Sequence, residues 1–234
     1  MDKTLIITGG SRGIGLATAR LFIRHGYRVI NLSRTRIPVE EAMHVPADLS
    51  EPGWCRQVED RIREHIPVRC RLVVVHNAGL LHKDTALNVT AETLERVLQV
   101  NLIAPAQLSR LLVPLMDKGS AILYVGSTLA ERAAANSCSY VVSKHALAGL
   151  MRATCQDLAG SGIHTACVCP GFTDTEMLRE HAGNDEGVLG GLASRSAMGR
   201  LVDPEEIAEI LYFCARQPAV NGTVLHANLG QLEG

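Results

Sequence analysis

Thr8-Gly9-Gly10-Ser11-Arg12-Gly13-Ile14-Gly15 is the stretch on which the fold turns. It follows a short apolar run, Leu5–Thr8, and opens an amphipathic pattern over Ile14–His25. Glycines let a chain leave a strand sharply and bring its backbone close to a pyrophosphate. A helix that starts there presents unpaired N–H groups and the positive end of its dipole to that anion. The spacing is T-G-x-x-x-G-x-G, not the commoner G-x-G-x-x-G. Its place after an N-terminal strand and before a helix marks a dinucleotide-binding turn.

Beyond the turn, short β-rich runs alternate with helical patterns to the end of the chain. Strands are expected at Arg28–Ser33, His44–Ala47, Leu72–His76, Ala121–Gly126, His164–Cys169 and Thr223–Ala227. Several are apolar on both faces, as strands buried between two helix layers must be. Helices are expected over Glu51–Glu64, Ala91–Leu115, Ser139–Ala159 and Pro204–Arg216. Thr90 with Thr93, and Asp203 with Pro204 and Glu206, read as helix starts. The alternation predicts an α/β chain with a single-domain Rossmann fold over 1–234. Its doubly wound, seven-stranded parallel sheet would carry helices on both faces.

Two stretches depart from the pattern. Ten residues separate Ser33 from His44 and include Pro38, too few for an ordinary crossover helix. Residues 176–199 are rich in Gly, Asn, Asp and Ser and show no clear period. A segment that long is expected to be a substrate loop lying over a ligand.

Composition narrows the function classes. With 234 residues, a single domain buries roughly 70–75% of its unfolded surface and needs no covalent staple. Apolar content of 47%, 20% charged residues and a net charge of −1 are ordinary for a soluble enzyme. No basic block marks a nucleic-acid surface, and no apolar stretch approaches the roughly 18 residues of a membrane span. The N-terminal apolar run is too short for a signal peptide, so a cytoplasmic protein is expected. Seven scattered cysteines read as reduced thiols. Cys167-Val168-Cys169, with His164 nearby, lies in a strand-like run whose alternation puts both thiols on one face. No second ligand pair with zinc spacing accompanies them. His25, His44, His65, His145, His181 and His226 likewise fall in no ligand spacing, so no metal is expected.

The chemistry points to carbonyl reduction. Tyr140 and Lys144 are four apart, hence on one helix face, and Ser127 lies thirteen residues upstream. An ammonium beside a phenol favours phenolate, and a second hydroxyl from Ser127 would hold a carbonyl oxygen while Tyr140 moves its proton. About twenty residues past a glycine turn, an acid reads the ribose of NAD and an arginine accommodates the 2′-phosphate of NADP. The second strand ends Asn31-Leu32-Ser33-Arg34, with no carboxylate. Ser33 and Arg34 suit a phosphate, and Arg12 adds a second positive contact. NADP(H) is expected over NAD(H).

Together these residues resemble the short-chain dehydrogenase/reductase family over nearly the whole chain. Thr8–Gly15 matches its cofactor turn, with Thr8, Gly9, Ser11, Arg12, Gly13, Ile14 and Gly15 as cofactor residues. Asp48-Leu49 stands where the family's aspartate meets the adenine, and Asn77-Ala78-Gly79 resembles its N-A-G element. Asn101, Ser127, Tyr140 and Lys144 match its catalytic tetrad in order and spacing. Pro170-Gly171-Phe172-Thr173-Asp174-Thr175 resembles its P-G-x-x-x-T segment, and Gly199-Arg200 with Pro204–Ala208 its late G-R…P-E-E-I-A stretch. The resemblance implies that Tyr140 is general acid and base, that Lys144 also binds the nicotinamide ribose, and that Ser127 orients the carbonyl. Asn101 would hold a helix irregularity and a proton-relaying water. Pro170, Gly171, Thr173 and Thr175 would bind the cofactor, Thr175 holding the carboxamide of its nicotinamide.

The resemblance further implies a small-molecule ketone or secondary alcohol as substrate and a homo-oligomer, tetramer or dimer. Members that reduce 3-oxoacyl groups on a carrier protein are similar, with Arg132 and Arg179 as candidate carrier contacts. The segment Thr128–Ala135 is small and mildly apolar, which admits several substrate classes. A non-catalytic nucleotide-binding regulator is the remaining alternative. Three features depart from the family: His76 before N-A-G, the short 34–43 connection, and the ending His226-Ala227-Asn228-Leu229-Gly230.

Overall fold

Strands form at Lys3–Thr8 (β1), Arg28–Ser33 (β2), Ala42–Pro46 (β3), Arg71–His76 (β4), Ala121–Val125 (β5), His164–Pro170 (β6) and Thr223–Ala227 (β7). They pair in parallel throughout in the order β3-β2-β1-β4-β5-β6-β7. The chain therefore winds outward from β1 to β3, returns to β4, and winds the other way to β7. In a sheet of this kind the crevice outside the carboxyl ends, at the reversal, is where ligands sit. Here that point lies between β1 and β4. The computed structural model describes residues 3–66 and 70–232.

Strand alternation sorts the core into two layers. Leu5, Ile7, Val29, Val73, Val75 and Leu123 face one way, against Phe22 of α1 (Gly13–Arg24) and Ile207 and Leu211 of α8 (Pro204–Arg216). Ile6, Ile30, Leu72, Val74 and Ile122 face the other way. They meet Trp54 and Ile62 of α2 (Trp54–His65), Leu108 of α4 (Ala104–Leu112) and Met151 of α5 (Cys138–Asp157). Leu5, Ile6 and Ile7 are all fully buried, which is why the strand reads as an unbroken apolar run.

Two expectations, one of a helix and one of a loop, are corrected. The single helix expected over Ala91–Leu115 is α3 (Ala91–Leu98), a π-helical turn at Gln99–Ile103, then α4, then a 3₁₀ turn at Val113–Leu115. Thr90 caps its start as expected, accepting from the Thr93 N–H at 3.2 Å. Pro105 has no N–H to offer the carbonyl four residues back, at Asn101, and there the helix widens. Residues 176–199 are not aperiodic loop. They hold α6 (Glu176–His181) and α7 (Glu186–Ala193), each started by a side chain. Thr175 accepts from the Leu178 N–H, and Asp185 accepts from Gly187 and Val188. Helices this short leave little periodicity to read. The 34–41 connection carries no helix, as its length implied.

His76, at the end of β4, is buried with its ring against Tyr124 and its Nε2 2.9 Å from Ser109 Oγ. Its Nδ1 has no hydrogen-bond partner among the described residues. Burial pushes its pKa down to about 3. In the unfolded chain an imidazole titrates near 6.5. Below about pH 6.5 the unfolded chain therefore takes up a proton that the native state refuses. Native stability falls by up to roughly 1.4 kcal/mol per pH unit down to about pH 3. Urea unfolding at pH 7 and pH 5 checks this. His76→Asn should lose roughly 2 kcal/mol less than the parent over that interval. Equal losses would place the acid sensitivity elsewhere.

Candidate active site

The glycine turn leaves β1 and enters α1 with Gly9 and Gly13 in the left-handed region, at φ 68° and 50°. Buried Asn31 of β2 pins it from below, accepting the Gly10 N–H on Oδ1 at 2.7 Å. The Asn31 amide donates to Ser33 Oγ at 2.7 Å, and Ser33 Oγ donates to the Thr35 carbonyl. Thr8 Oγ1 accepts from the N–H groups of Asn77 and Ala78 at 3.1 and 3.0 Å. Asn77 Nδ2 donates back to the Thr8 and Gly9 carbonyls, both at 3.0 Å. The N-A-G element is thus a rivet that fixes the glycine turn to the end of β4. A Cβ at Gly15 would stand 2.2 Å from the Gly9 carbonyl oxygen and 2.5 Å from Asn77 Nδ2. Gly15→Ala should therefore destabilise the fold by about 1–3 kcal/mol, read as a lower denaturation midpoint. An unchanged midpoint would contradict that packing.

Over the turn opens a cavity of about 810 Å³. It runs from Arg34 and Asp48 past Asn77–Gly79 to Ser127, Tyr140 and Thr175. Every expected site residue lines it except Thr8, Gly15 and Asn101, which stand directly behind its wall. The left-handed glycines, the exposed N-terminus of α1 and the cationic rim fit a nicotinamide dinucleotide. Asp48 Oδ1 accepts from Ser50 Oγ and N at 2.7 and 3.0 Å, and the hydroxyl bond above all holds its carboxyl below the usual range. The three groups expected at the ribose 2′ position differ in availability. Ser33 spends its hydroxyl proton on Thr35, and Arg12 pairs with Glu180 of α6 at 2.9 Å. No carboxylate lies within ion-pair distance of Arg34 among the described residues.

Helix α5 carries Tyr140 and Lys144 on one face. Lys144 is 3% exposed, its Nζ 5.4 Å from the Tyr140 ring centroid and donating to the Val125 carbonyl at 2.8 Å. Asn101, in the π turn, accepts the Leu80 N–H at 2.7 Å and donates to the Leu80 carbonyl and to Ser143 Oγ, both at 2.9 Å. Ser143 Oγ in turn donates to the Tyr140 carbonyl at 2.7 Å. Asn101 therefore sutures the segment after β4 to α5. A second suture had no signal in the sequence. Buried Asp84 accepts the Ser139 N–H at 2.9 Å and the Ser139 hydroxyl, and its carbonyl accepts the Cys138 N–H. Burial works against the Asp84 charge, and the Ser139 bonds outweigh it, so the carboxyl stays below its ordinary range. An anion thus sits at the positive end of the helix that carries Tyr140.

Ser127 follows β5. Its Oγ accepts the Leu129 N–H at 3.1 Å, which leaves the hydroxyl proton for a carbonyl oxygen in the cavity. Its N–H bonds to the Cys169 sulfur. The buried sulfurs of Cys167 and Cys169 are 3.8 Å apart on one strand face, and a Cβ at Gly126 would stand 2.7 Å from each. These thiols are packing for the serine, as the alternation implied.

The segment after β6 closes the other side. Thr175 Cγ2 lies 3.1 Å from where a Gly13 Cβ would be, so the segment rests on the glycine turn. Thr175 Oγ1 accepts from Leu178, which again leaves its proton free to donate. Arg179, expected as a carrier contact, is committed instead. It grips Asp174 in bidentate fashion at 2.6 and 2.8 Å and reaches Glu186 at 3.1 Å. Arg200 grips Glu206 at 2.7 Å twice, and Glu206 accepts the Asp203 N–H as the expected helix start requires. In the divergent C-terminal stretch, His226 pairs with Glu131 at 2.8 Å.

Residues 9–231 match the family model described as Enoyl-(Acyl carrier protein) reductase. Carbonyl reductase family member 4 of Danio rerio is 27% identical over 242 residues, covering 96% of each chain. The 3-oxoacyl-[acyl-carrier-protein] reductase MabA of Mycobacterium tuberculosis is 26% identical, covering 98% of this chain and 93% of its own. The ligand-free structure of Thermoplasma acidophilum aldohexose dehydrogenase superposes with a TM-score of 0.90 at 29% identity, covering 98% and 93%. Among the described residues no helix is long and apolar enough to cross a membrane.

Proposed function

The chain belongs to the short-chain dehydrogenase/reductase family, and from that premise we propose that it is an NADPH-dependent carbonyl reductase, the same chemistry reversed being alcohol oxidation. One observation carries the reading: Tyr140 stands beside the buried Lys144 ammonium, and both share a cavity with Ser127. When bound, the reduced nicotinamide supplies the hydride. Glycines 9 and 13 and the N-terminus of α1 cradle its pyrophosphate, Asp48 meets the adenine, and Arg34 takes the 2′-phosphate. Lys144 binds the ribose hydroxyls, its Nζ 5.4 Å from the centre of the Tyr140 ring. Ser127 donates its hydroxyl proton to the substrate oxygen, and Tyr140 transfers its own as the alkoxide forms. Asn101 positions Tyr140 through Ser143. The Asn101 carbonyl, to which Pro105 offers no N–H, would accept a hydrogen bond from a water that relays the proton outward.

NAD(H) is the less favoured cofactor, because no carboxylate stands at the end of β2 to hold a ribose 2′-hydroxyl. The substrate is a small ketone or secondary alcohol, and we place the enzyme in the cytoplasm as a homo-oligomer, dimer or tetramer. Reduction of carrier-bound 3-oxoacyl groups is a narrower form of the same reading. The likeness to MabA favours it, and the commitment of Arg179 to Asp174 and Glu186 counts against a carrier surface there. A regulator without catalysis has no use for the retained Tyr140–Lys144 pair. Loss of NADPH absorbance over a panel of 3-oxoacyl thioesters, cyclic ketones and sugars tests the activity. Failure to turn over any of them with either NADPH or NADH would overturn it.

A further inference from the structure

Cations are spread along the cavity, whereas its acidic side chains are few. At the cofactor end, its acidic side chains are Asp48, tied to Ser50, and Glu176, whose Oε2 lies 3.6 Å from where a Gly13 Cβ would stand. The segment after β6, with α6 and α7, adds Phe172, Met177, Leu178 and Leu192 to the lining that holds Ser127 and Tyr140. Apart from Tyr140 and Lys144, the titratable side chains there are His181, closing α6, and Arg195, just past α7. Burial, and after it the charge of Lys83, disfavours a proton on His181. Apart from Lys144, which stands beside Tyr140, the fixed charge here is Arg195.

The surroundings of Arg195 are unlike those of its neighbours. Arg12, Arg179 and Arg200 each grip a carboxylate, namely Glu180, Asp174 with Glu186, and Glu206. Among the described residues no carboxylate lies within ion-pair distance of Arg195. Its guanidinium carbon lies over the Phe172 ring, 5.8 Å from the centroid. The backbone beneath it is tied at both groups: its N–H donates to the Leu192 carbonyl at 3.1 Å and its carbonyl accepts the Leu232 N–H at 2.8 Å. A guanidinium beside an aromatic face, with no side-chain hydrogen bond from its N–H fork among the described residues, can receive a planar anion in bidentate fashion.

We propose that the substrate is an oxo acid, a compact ketone whose far end carries a carboxylate seated on Arg195 while its carbonyl lies at Ser127 and Tyr140. The inference rests on the carbonyl-reductase reading and narrows its substrate class. The ketone takes a hydride from NADPH on carbon and the Tyr140 proton on oxygen, and the carboxylate stays unchanged throughout.

Two matched pairs test it: 4-acetylbenzoate against its methyl ester, and levulinate against its methyl ester, each with NADPH. The parent enzyme should prefer the acid in kcat/KM by about tenfold or more, most of it in KM. Arg195→Met keeps an unbranched apolar chain over Phe172 and should abolish that preference while leaving the esters within about twofold. Arg195→Lys, which keeps the charge, should retain part of the preference. Equal use of acid and ester by the parent, or a loss in Arg195→Met that falls on both alike, overturns the proposal. Calorimetric binding of 4-acetylbenzoate and its ester to the NADP-loaded protein separates the two readings. If no ketone turns over, the carbonyl-reductase reading falls, and Arg195-dependent binding of the acid alone still decides the anion site. No such selectivity in binding sinks the anion site whatever the turnover.

Discussion

Replacing Tyr140 by Phe is expected to lower kcat by about 10²–10⁴-fold while cofactor binding changes little, because positioned proton transfer contributes that much. The substitution removes one oxygen and leaves the ring in place. The Lys144 Nζ, 5.4 Å from that ring's centre and anchored on the Val125 carbonyl, has no reason to move. The sutures through Ser143 and Ser139 act on the helix backbone and on other side chains, so α5 keeps its position. What disappears is the proton that must reach the substrate oxygen as negative charge develops there. Ser127 can still donate a hydrogen bond, and catalysis should not vanish altogether. Steady-state turnover alongside NADPH binding by fluorescence checks the result. Near-normal kcat with intact binding would remove Tyr140 from the chemistry.

The second large effect is a reversal of cofactor preference in Arg34→Asp. A charge-assisted contact to a phosphate is worth about 1.5–3 kcal/mol, and a carboxylate in its place adds repulsion. NADP(H) affinity should fall by about a hundredfold. NAD(H) affinity should hold or rise, since an acid at this point accepts from the ribose 2′-hydroxyl. Arg34 is the residue to change because its neighbours are otherwise engaged, Ser33 with Asn31 and Thr35, and Arg12 with Glu180. Titration of both cofactors against parent and variant decides it. Equal parent affinities for NADP and NAD, or a variant that weakens both alike, would show that Arg34 does not read the phosphate.

Most of the fold was legible because its signals are local. A strand buried on both faces is apolar without a break, as at Leu5–Ile7, and a glycine turn followed by a helical period needs only eight residues to be recognised. Tyr140 and Lys144 share a face for the same reason, one turn of helix. The misses share a cause as well. The irregularity that the resemblance implied at Asn101 is present, but its form, a π turn at Gln99–Ile103 that splits the expected helix, depends on a proline and on bonds from Asn101 across to Leu80 and Ser143. Helices α6 and α7 are too short to declare a period, and their capping side chains only make sense once their ends are known. The hold of Asp84 on Ser139 spans 55 positions, and that of Arg12 on Glu180 spans 168. No spacing rule reaches so far.

The sequence by itself determined the parallel α/β sheet, the glycine turn, and the residues brought to its rim, because each follows from contacts within a few residues of chain. Only the tertiary structure decided which of those side chains remain free to act. Ser33, Arg12 and Arg179 look equally available in the sequence as donors to an anion, and each finds a partner when the chain closes. Arg34 and Arg195 find no carboxylate among the described residues. A charge is available to a ligand only where folding leaves it unpaired, and that depends on which distant carboxylates the fold brings beside it.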